Sequence, residues 1–336
     1  MTDKSGKMRI ALVGAGGMGL RWAGVISRSP DAELAAVFDA DANRAKDAAR
    51  AYGGRPVHDL KEILRDPAID AGVVVLPHKF LASASEQLLQ NGKHVLSEKP
   101  GARTPGEIMG PLKTAESRDL RFMVGFNHRF HQSHQKAKEL AEQGAIGEIL
   151  FLRARYGFGG RPGYEKEWRH DKDMSGGGEL IDQGVHLIDL ARYFLGDIAE
   201  AKGFVQDAFW KSGVEDNAFL LLKDARGRVA SLHASWSQWK PKYALEIFGD
   251  KGYILIEGLG KKYGGTERVI IGKRADDFSA AGEETVECDT DADKSLAAEL
   301  QEFISAIREK RQSVPHARDA LAALSIVQDI YAAEKK

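Results

Sequence analysis

"RIALVGAGGMG", residues 9–19, joins an apolar run to glycines spaced two and then three residues apart. The run is apolar on both faces, as a strand buried inside a parallel sheet must be, and a helical pattern opens near Gly17. A strand, a glycine turn and a helix in that order begin a doubly wound α/β sheet. The rhythm repeats through "LAAVFD" (34–39), "AGVVVLP" (71–77), "KHVLSEKP" (93–100) and "RFMVGFN" (121–127), with helical patterns such as "DANRAKDAARAY" (41–52) between them. After Asn127 the rhythm changes. A helix near 133–143, the run "EILFLRARYGF" (148–158) and a glycine-led helix precede longer strand-like runs broken by turns such as "DARG" and "GDKG", which suit a mostly antiparallel sheet. Two helical segments close the chain. The expected organisation is a Rossmann-type domain over 1–127, an α+β domain with a large open sheet over 128–315, and a last helix over 316–336 packing back on the first domain.

Composition bounds the rest. The 336 residues suffice for two domains, and 43% hydrophobic residues can fill their cores. Forty-eight basic and 49 acidic side chains leave a formal net charge of -1 with no dense cationic run, so neither nucleic acid nor an anionic membrane is an expected partner. One cysteine, Cys288, permits no intramolecular disulfide. The first residues lack the pattern of a secretory signal and no stretch is long and apolar enough to span a bilayer, so the cytoplasm is the expected location.

Gly14, Gly16 and Gly19 form G-x-G-x-x-G, with Gly17 and Met18 inside the same turn. Such glycines allow a tight turn, close approach of a pyrophosphate to bare backbone, and close packing of helix on strand. Asp39 ends the second run, 39 - 19 = 20 residues beyond Gly19, where an acid accepts hydrogen bonds from the adenosine ribose and repels a 2′-phosphate. NAD is therefore expected over NADP. Arg44 keeps NADP open, since it could turn inward to meet a phosphate. Asp41 fits the cap of the following helix better than Asp39 does.

Lys99 stands in "SEKP" just past another strand, at the sheet edge where ligands bind in such folds. Pro100, through a cis or trans bond, would aim the lysine, whose ammonium can lower the pKa of a substrate hydroxyl. On the glycine-led helix "SGGGELIDQGVHLIDLARYFLGD" (175–197), winding at about 100° per residue puts Asp182, His186, Asp189 and Tyr193 on one narrow stripe among apolar neighbours. A stripe that narrow on an apolar helix implies buried polar groups aimed at something polar. The preceding loop offers Tyr156, Tyr164, Trp168 and Arg169, either to hold a sugar ring and its hydroxyls or for ordinary packing. His128, His131 and His134 lack partners at ligand spacing, so no metal is expected.

"GAGGMG" with Asp39, "GKHVLSEKP", "GFNHRF" and "GGGELIDQGVHLIDLARYFLG", in that order over essentially the whole chain, resemble the glucose-fructose oxidoreductase, inositol dehydrogenase and rhizopine-catabolism (Gfo/Idh/MocA) family. The resemblance implies a catalytic triad of Lys99, Asp182 and His186 acting on sugars or polyols. It also implies cofactor or substrate contacts from Glu98 and Asn127, and cofactor contacts from the loop Leu76, Pro77 and His78. That loop departs from the family pattern, with His78 at the usual Asn and Leu81 at the usual His. The implied activity is NAD-dependent oxidation of a secondary hydroxyl on a cyclic polyol, sugar or sugar derivative, in a homodimer or homotetramer built through the open sheet. Transient oxidation with tightly bound NAD, for glycoside cleavage or internal oxidoreduction, is the alternative activity. A dinucleotide sensor is a third reading, and the retained triad argues against it.

Overall fold

The computed structural model describes residues 6–278, 280–288 and 294–334. The chain forms two compact units, Met1–Phe126 with Leu296–Ala322, and Asn127–Ser295 with Ala323–Lys336. The C-terminal segment thus divides differently from a single helix joining the first domain after 315.

In the first unit, strands β1 (Met8–Val13), β2 (Ala32–Phe38), β3 (Arg55–Val57), β4 (Ala71–Val74), β5 (His94–Glu98) and β6 (Phe122–Gly125) alternate with helices. These are α1 (Gly17–Arg28), α2 (Ala42–Tyr52), α3 (Leu60–Arg65), α4 (His78–Gln90) and α5 (Pro105–Ser117). All strand pairs are parallel, in the order β3-β2-β1-β4-β5-β6. The order reverses between β1 and β4, and at that point the carboxyl ends of the strands leave a crevice outside the sheet. Ile10, Leu12, Val73 and Leu96 are buried, as strands covered on both faces require.

Helix starts in this unit differ in a telling way. Asp41 caps α2 by accepting from the Asn43 amide at 2.9 Å, Asp59 and Glu62 form a capping box on α3, and Thr104 caps α5. Helix α1, with Gly16 at its N-cap, has no side-chain cap, and neither has α4 behind Pro77; only α1 opens on the glycine turn. Its first amides are left for a ligand to satisfy.

The second unit holds an eight-stranded sheet: β7 (Ile149–Gly157), β8 (Ile198–Gln206), β9 (Asn217–Asp224), β10 (Val229–Ser235), β11 (Lys242–Gly249), β12 (Gly252–Glu257), β13 (Arg268–Arg274) and β14 (Ala280–Glu287). The order is β14-β13-β12-β11-β7-β10-β9-β8, and β7 with β10 is parallel while the other neighbours are antiparallel. Helices α6 (Gln132–Glu142), α7 (Lys172–Ser175) and α8 (Val185–Leu195) belong to this unit, whereas α9 (Ser295–Arg308) and α10 (Ala317–Ala333) follow the sheet in sequence. Side chains alternate along the strands. Leu220, Leu222, Leu232 and Ile247 are buried, while Phe151, Phe204, Phe219, Leu221 and Val229 of the same sheet stay exposed. Among the described residues no helix is long and apolar enough to cross a membrane.

Candidate active site

In the first unit the glycine turn is built by close approach. A Cβ on Gly14, whose φ is +104°, would lie 2.0 Å from the Val75 carbonyl oxygen, and one on Gly19 would lie 2.1 Å from that of Gly14. Either side chain would break the packing of turn on strand and helix on turn. Gly16 and Gly17 are different, since a Cβ on either meets nothing within 4 Å. Two glycines therefore close the turn, and two leave bare backbone beside the uncapped start of α1. That is the cradle a pyrophosphate needs, so these residues fit NAD. Met18 lies in the first turn of α1.

Asp39 follows β2 and ties its carboxylate to the same turn. Oδ2 accepts from the Ala15 amide at 2.7 Å and Oδ1 from the Asp41 amide at 2.9 Å. The acid expected to meet the ribose is thus held by the turn expected to meet the pyrophosphate. Arg44 is exposed and pairs with Asp41 at 3.6 Å. Leu76 packs against Gly14, Pro77 occupies the N-cap position of α4 without capping it, and His78 is buried at the first position of α4. Leu81 is fully buried.

At the end of β5, Glu98 accepts from Trp22 Nε1 at 2.8 Å. Burial pushes its carboxyl pKa up, against the Trp22 hydrogen bond and the neighbouring Lys99 charge. The Lys99–Pro100 peptide is cis, and Lys99 is half-buried.

In the second unit the glycine-led helix is not uniformly α. Leu180–Gly184 is a π-turn, and α8 begins at Val185. A wide turn rotates Asp182 away from the position a 100° winding predicts, and such turns concentrate at functional sites. Asp182 is buried and accepts from Arg169 Nε at 3.1 Å. Burial opposes the charge on Arg169, but Asp182, Tyr164 and Glu167 outweigh it and raise the pKa of the guanidinium. That guanidinium also lies over the Trp168 ring, 4.6 Å from its centre. His186 is buried with its ring stacked on that of His128, centres 3.9 Å apart and planes 10° from parallel. The stripe therefore splits by role. Asp189 is not aimed at a ligand: it is fully buried and bridged by Arg129, Nε to Oδ2 at 2.8 Å and Nη2 to Oδ1 at 2.5 Å. Such a bidentate pair is a structural lock.

Asn127 donates through Nδ2 to Ser295 Oγ at 3.0 Å. Tyr156 is buried, with its ring centre 6.5 Å from that of His186 and its hydroxyl bonded to Tyr263. Tyr164 is wholly buried against Phe158, His170, Trp210 and Trp236, so packing claims this ring and leaves no face for a sugar. Trp168 and Arg169 are partly exposed.

The histidines of "NHRFHQSH" form a buried polar chain. His134 meets Tyr243 Oη through Nε2, and its Nδ1 lies 3.2 Å from Ser133 Oγ. Burial holds the His134 pKa far below the usual histidine range and raises that of Tyr243; because Ser133 Oγ donates to Glu267, it accepts from His134 Nδ1, which leaves Nε2 to accept from Tyr243. Ser133 Oγ then donates to Glu267 Oε1 at 2.7 Å, and His131 Nδ1 lies 3.1 Å from Glu267 Oε2. Among the described residues no cluster of three His, Cys, Asp or Glu side chains is arranged to hold a metal.

Sequence reasoning missed two side chains beside the three glycines. A Cβ on Gly177 would lie 2.0 Å from Tyr331 Oη, and one on Gly178 would lie 1.9 Å from the Glu215 carbonyl oxygen. Gly176 alone is used for its conformation, with φ +85° at the end of α7. Three consecutive glycines were the available signal. What they accommodate lies far along the chain.

A family profile described as "Oxidoreductase family, NAD-binding Rossmann fold" matches residues 8–126, and one described as "GFO/IDH/MocA C-terminal domain" matches residues 134–255. The chain is 27% identical over 332 residues to inositol 2-dehydrogenase of Rhizobium meliloti, covering 95% of this chain and 94% of that protein. It is 30% identical over 275 residues to D-glucoside 3-dehydrogenase of Escherichia coli, covering 78% and 77%. The solved complex of levoglucosan dehydrogenase with NADH and levoglucosan has the same fold, with a TM-score of 0.90 at 23% identity over 98% of both chains. With the uncapped glycine cradle in its first unit and the large mixed sheet in its second, this chain belongs to the Gfo/Idh/MocA family of NAD-binding oxidoreductases.

Proposed function

We propose that this chain is an NAD-dependent dehydrogenase of a secondary hydroxyl on a cyclic polyol, sugar or sugar derivative. Gly14, Gly16, Gly17, Met18, Gly19 and Asp39 hold the dinucleotide, and Arg44, Leu76, Pro77, His78, Glu98, Lys99 and Asn127 complete its contacts. When bound, NAD supplies the acceptor for the hydride leaving the carbinol carbon. The residues of the chain handle the proton and the geometry. Lys99 and His186 address the substrate hydroxyl, and one of them takes its proton as the carbon–hydrogen bond breaks. Asp182 supports the imidazole and binds the substrate, and Asn127, Tyr156, Trp168 and Arg169 line the place of the ring. The Arg169 guanidinium, stacked on Trp168, donates to the Asp182 carboxylate and fixes its orientation.

The observation that carries this reading is the pairing, on one helix, of a buried carboxylate and a buried imidazole in a chain whose first unit binds NAD. Two relatives bearing dehydrogenase names for inositol and a D-glucoside support the substrate class. A homodimer or homotetramer formed through the sheet face bearing Phe204, Phe219 and Leu221 belongs to the same proposal, as does a cytoplasmic location in keeping with the single cysteine. Sedimentation showing only monomer at micromolar concentration would reject the oligomer. The experiment for the activity is a screen of polyols, aldoses, glycosides and nucleotide sugars for net NADH formation. Turnover of one class supports the reading, and product formation without net NADH would favour transient oxidation instead.

A further inference from the structure

The amides that open the glycine-led helix have no earlier turn to bond. Here they converge on one remote acid. Glu215 Oε1 accepts from the Gly178 amide at 3.0 Å, the Leu180 amide at 3.1 Å and Tyr331 Oη at 2.5 Å, while the Glu215 carbonyl accepts from the Glu179 amide at 2.8 Å. Glu215 lies on the approach to β9, and Tyr331 lies near the end of α10 in the part that belongs to the second unit. Glu215 is buried and Tyr331 half-buried, and the glycines fit them closely. A methyl group at 177 would strike the Tyr331 hydroxyl and one at 178 the Glu215 backbone. A carboxylate at a helix N-terminus gains from the amide dipoles as well as from the bonds themselves. The π-turn carrying Asp182 starts at Leu180, one of the amides so held.

We propose that Glu215 and Tyr331 are positioning residues that fix the π-turn and so aim Asp182, and with it the start of α8, for the reaction. The role in turnover rests on the dehydrogenase reading above, whereas the mechanical hold on the turn does not. Neither residue is among those proposed to meet the substrate. Each acts through the backbone of Gly178 to Leu180. Burial raises the pKa of the Glu215 carboxyl, and the convergent donors work against that rise to keep it an acceptor.

The test uses the full-length protein with Tyr331→Phe, which keeps the ring and removes the hydroxyl, and with Glu215→Gln, which keeps the shape and removes the charge. Amide hydrogen exchange of residues 178–184 should quicken roughly tenfold in Tyr331→Phe while β10 and β11 exchange as in the parent. Turnover should fall by roughly tenfold, with NAD affinity within about twofold of the parent. Glu215→Gln should show the same local pattern, which keeps the test open if either variant folds poorly. Unchanged exchange over 178–184, or an equal rise throughout the second unit, would overturn the hold. Local loosening with parent-like turnover would overturn the role in catalysis. A parent protein inactive on every polyol and sugar would count against the dehydrogenase reading alone, because the exchange result stands without turnover.

Discussion

The imidazole of His186 rests face to face on that of His128, with ring centres 3.9 Å apart and planes 10° from parallel. Proton transfer at an imidazole takes place at its nitrogens, in the plane of the ring. A stack therefore fixes the ring without covering the nitrogens that would react in the proposed function. His128 itself is packed edge-on by Tyr156, 5.1 Å away between centres, and by His131 at 5.7 Å. The support under His186 thus packs against the rings of the buried polar chain.

Replacing His128 should expose that dependence. His128→Ala removes the supporting face and should lower turnover by about tenfold or more through misplacement of His186. His128→Phe keeps a flat ring and should retain more activity than the alanine variant. Steady-state rates of the two variants check this, and equal losses would show that the nitrogens of His128, not its face, are what matters.

In the proposed function Asp39 meets the ribose as well as tying the glycine turn, so its replacement should have two effects. Asp39→Ala should weaken NAD binding by about 1.5–3 kcal/mol through loss of charge-assisted hydrogen bonds. It should also narrow the preference over NADP, because the charge opposing a 2′-phosphate is gone. Since Asp39 also holds the Ala15 amide at 2.7 Å, NADP should gain less than removal of repulsion alone would give. Titration with both cofactors decides it. Tighter NADP binding by the unaltered protein would contradict the assignment.

How much of this the sequence discloses depends on the range of the interaction. The glycine turn and Asp39 are legible because bare backbone and one acid at a set spacing act locally, and Gly14, Gly19 and Asp39 meet within one strand–turn–helix–strand unit. Asp182 and His186 are legible as buried polar residues on an apolar helix. The π-turn between Leu180 and Gly184 is not, because a constant winding angle is assumed when periodicity is read. Glu215 and Tyr331 are beyond local reading altogether, being 116 positions apart and joined only by the tertiary fold. Asp189 lies on the same stripe, and its polar partner, Arg129, is 60 positions away and so not legible from the helix alone.

Glu267 anchors the buried chain, and its acid sensitivity has a definite sign. Burial alone would raise its pKa, but hydrogen bonds from His131, Ser133 and the Gly260 amide, with the His131 charge, bring it from 4.5 down to about 2. A carboxyl depressed on folding stabilises the protein above its unfolded pKa, and that contribution fades as pH falls toward the folded value. Part of the stability should therefore be lost between pH 4.5 and about 2. Glu267→Gln should be less stable at neutral pH and show a shallower decline over that window. Denaturant melts across the range test this, and an unchanged slope in the variant would contradict it.

In the proposed function Lys99 and His186 move the proton of a substrate hydroxyl while the glycine turn and Asp39 hold NAD. Single-turnover NADH formation with saturating NAD tests it most directly, using the sugar or polyol found by screening. Lys99→Ala and His186→Ala should each slow the step by roughly 10²- to 10⁴-fold, the usual contribution of a positioned proton-transfer group, with NAD affinity little changed. The double replacement should cost little more than the worse single one if the groups act as a unit. Parent-like rates in either single variant, with NAD still bound, would contradict the account.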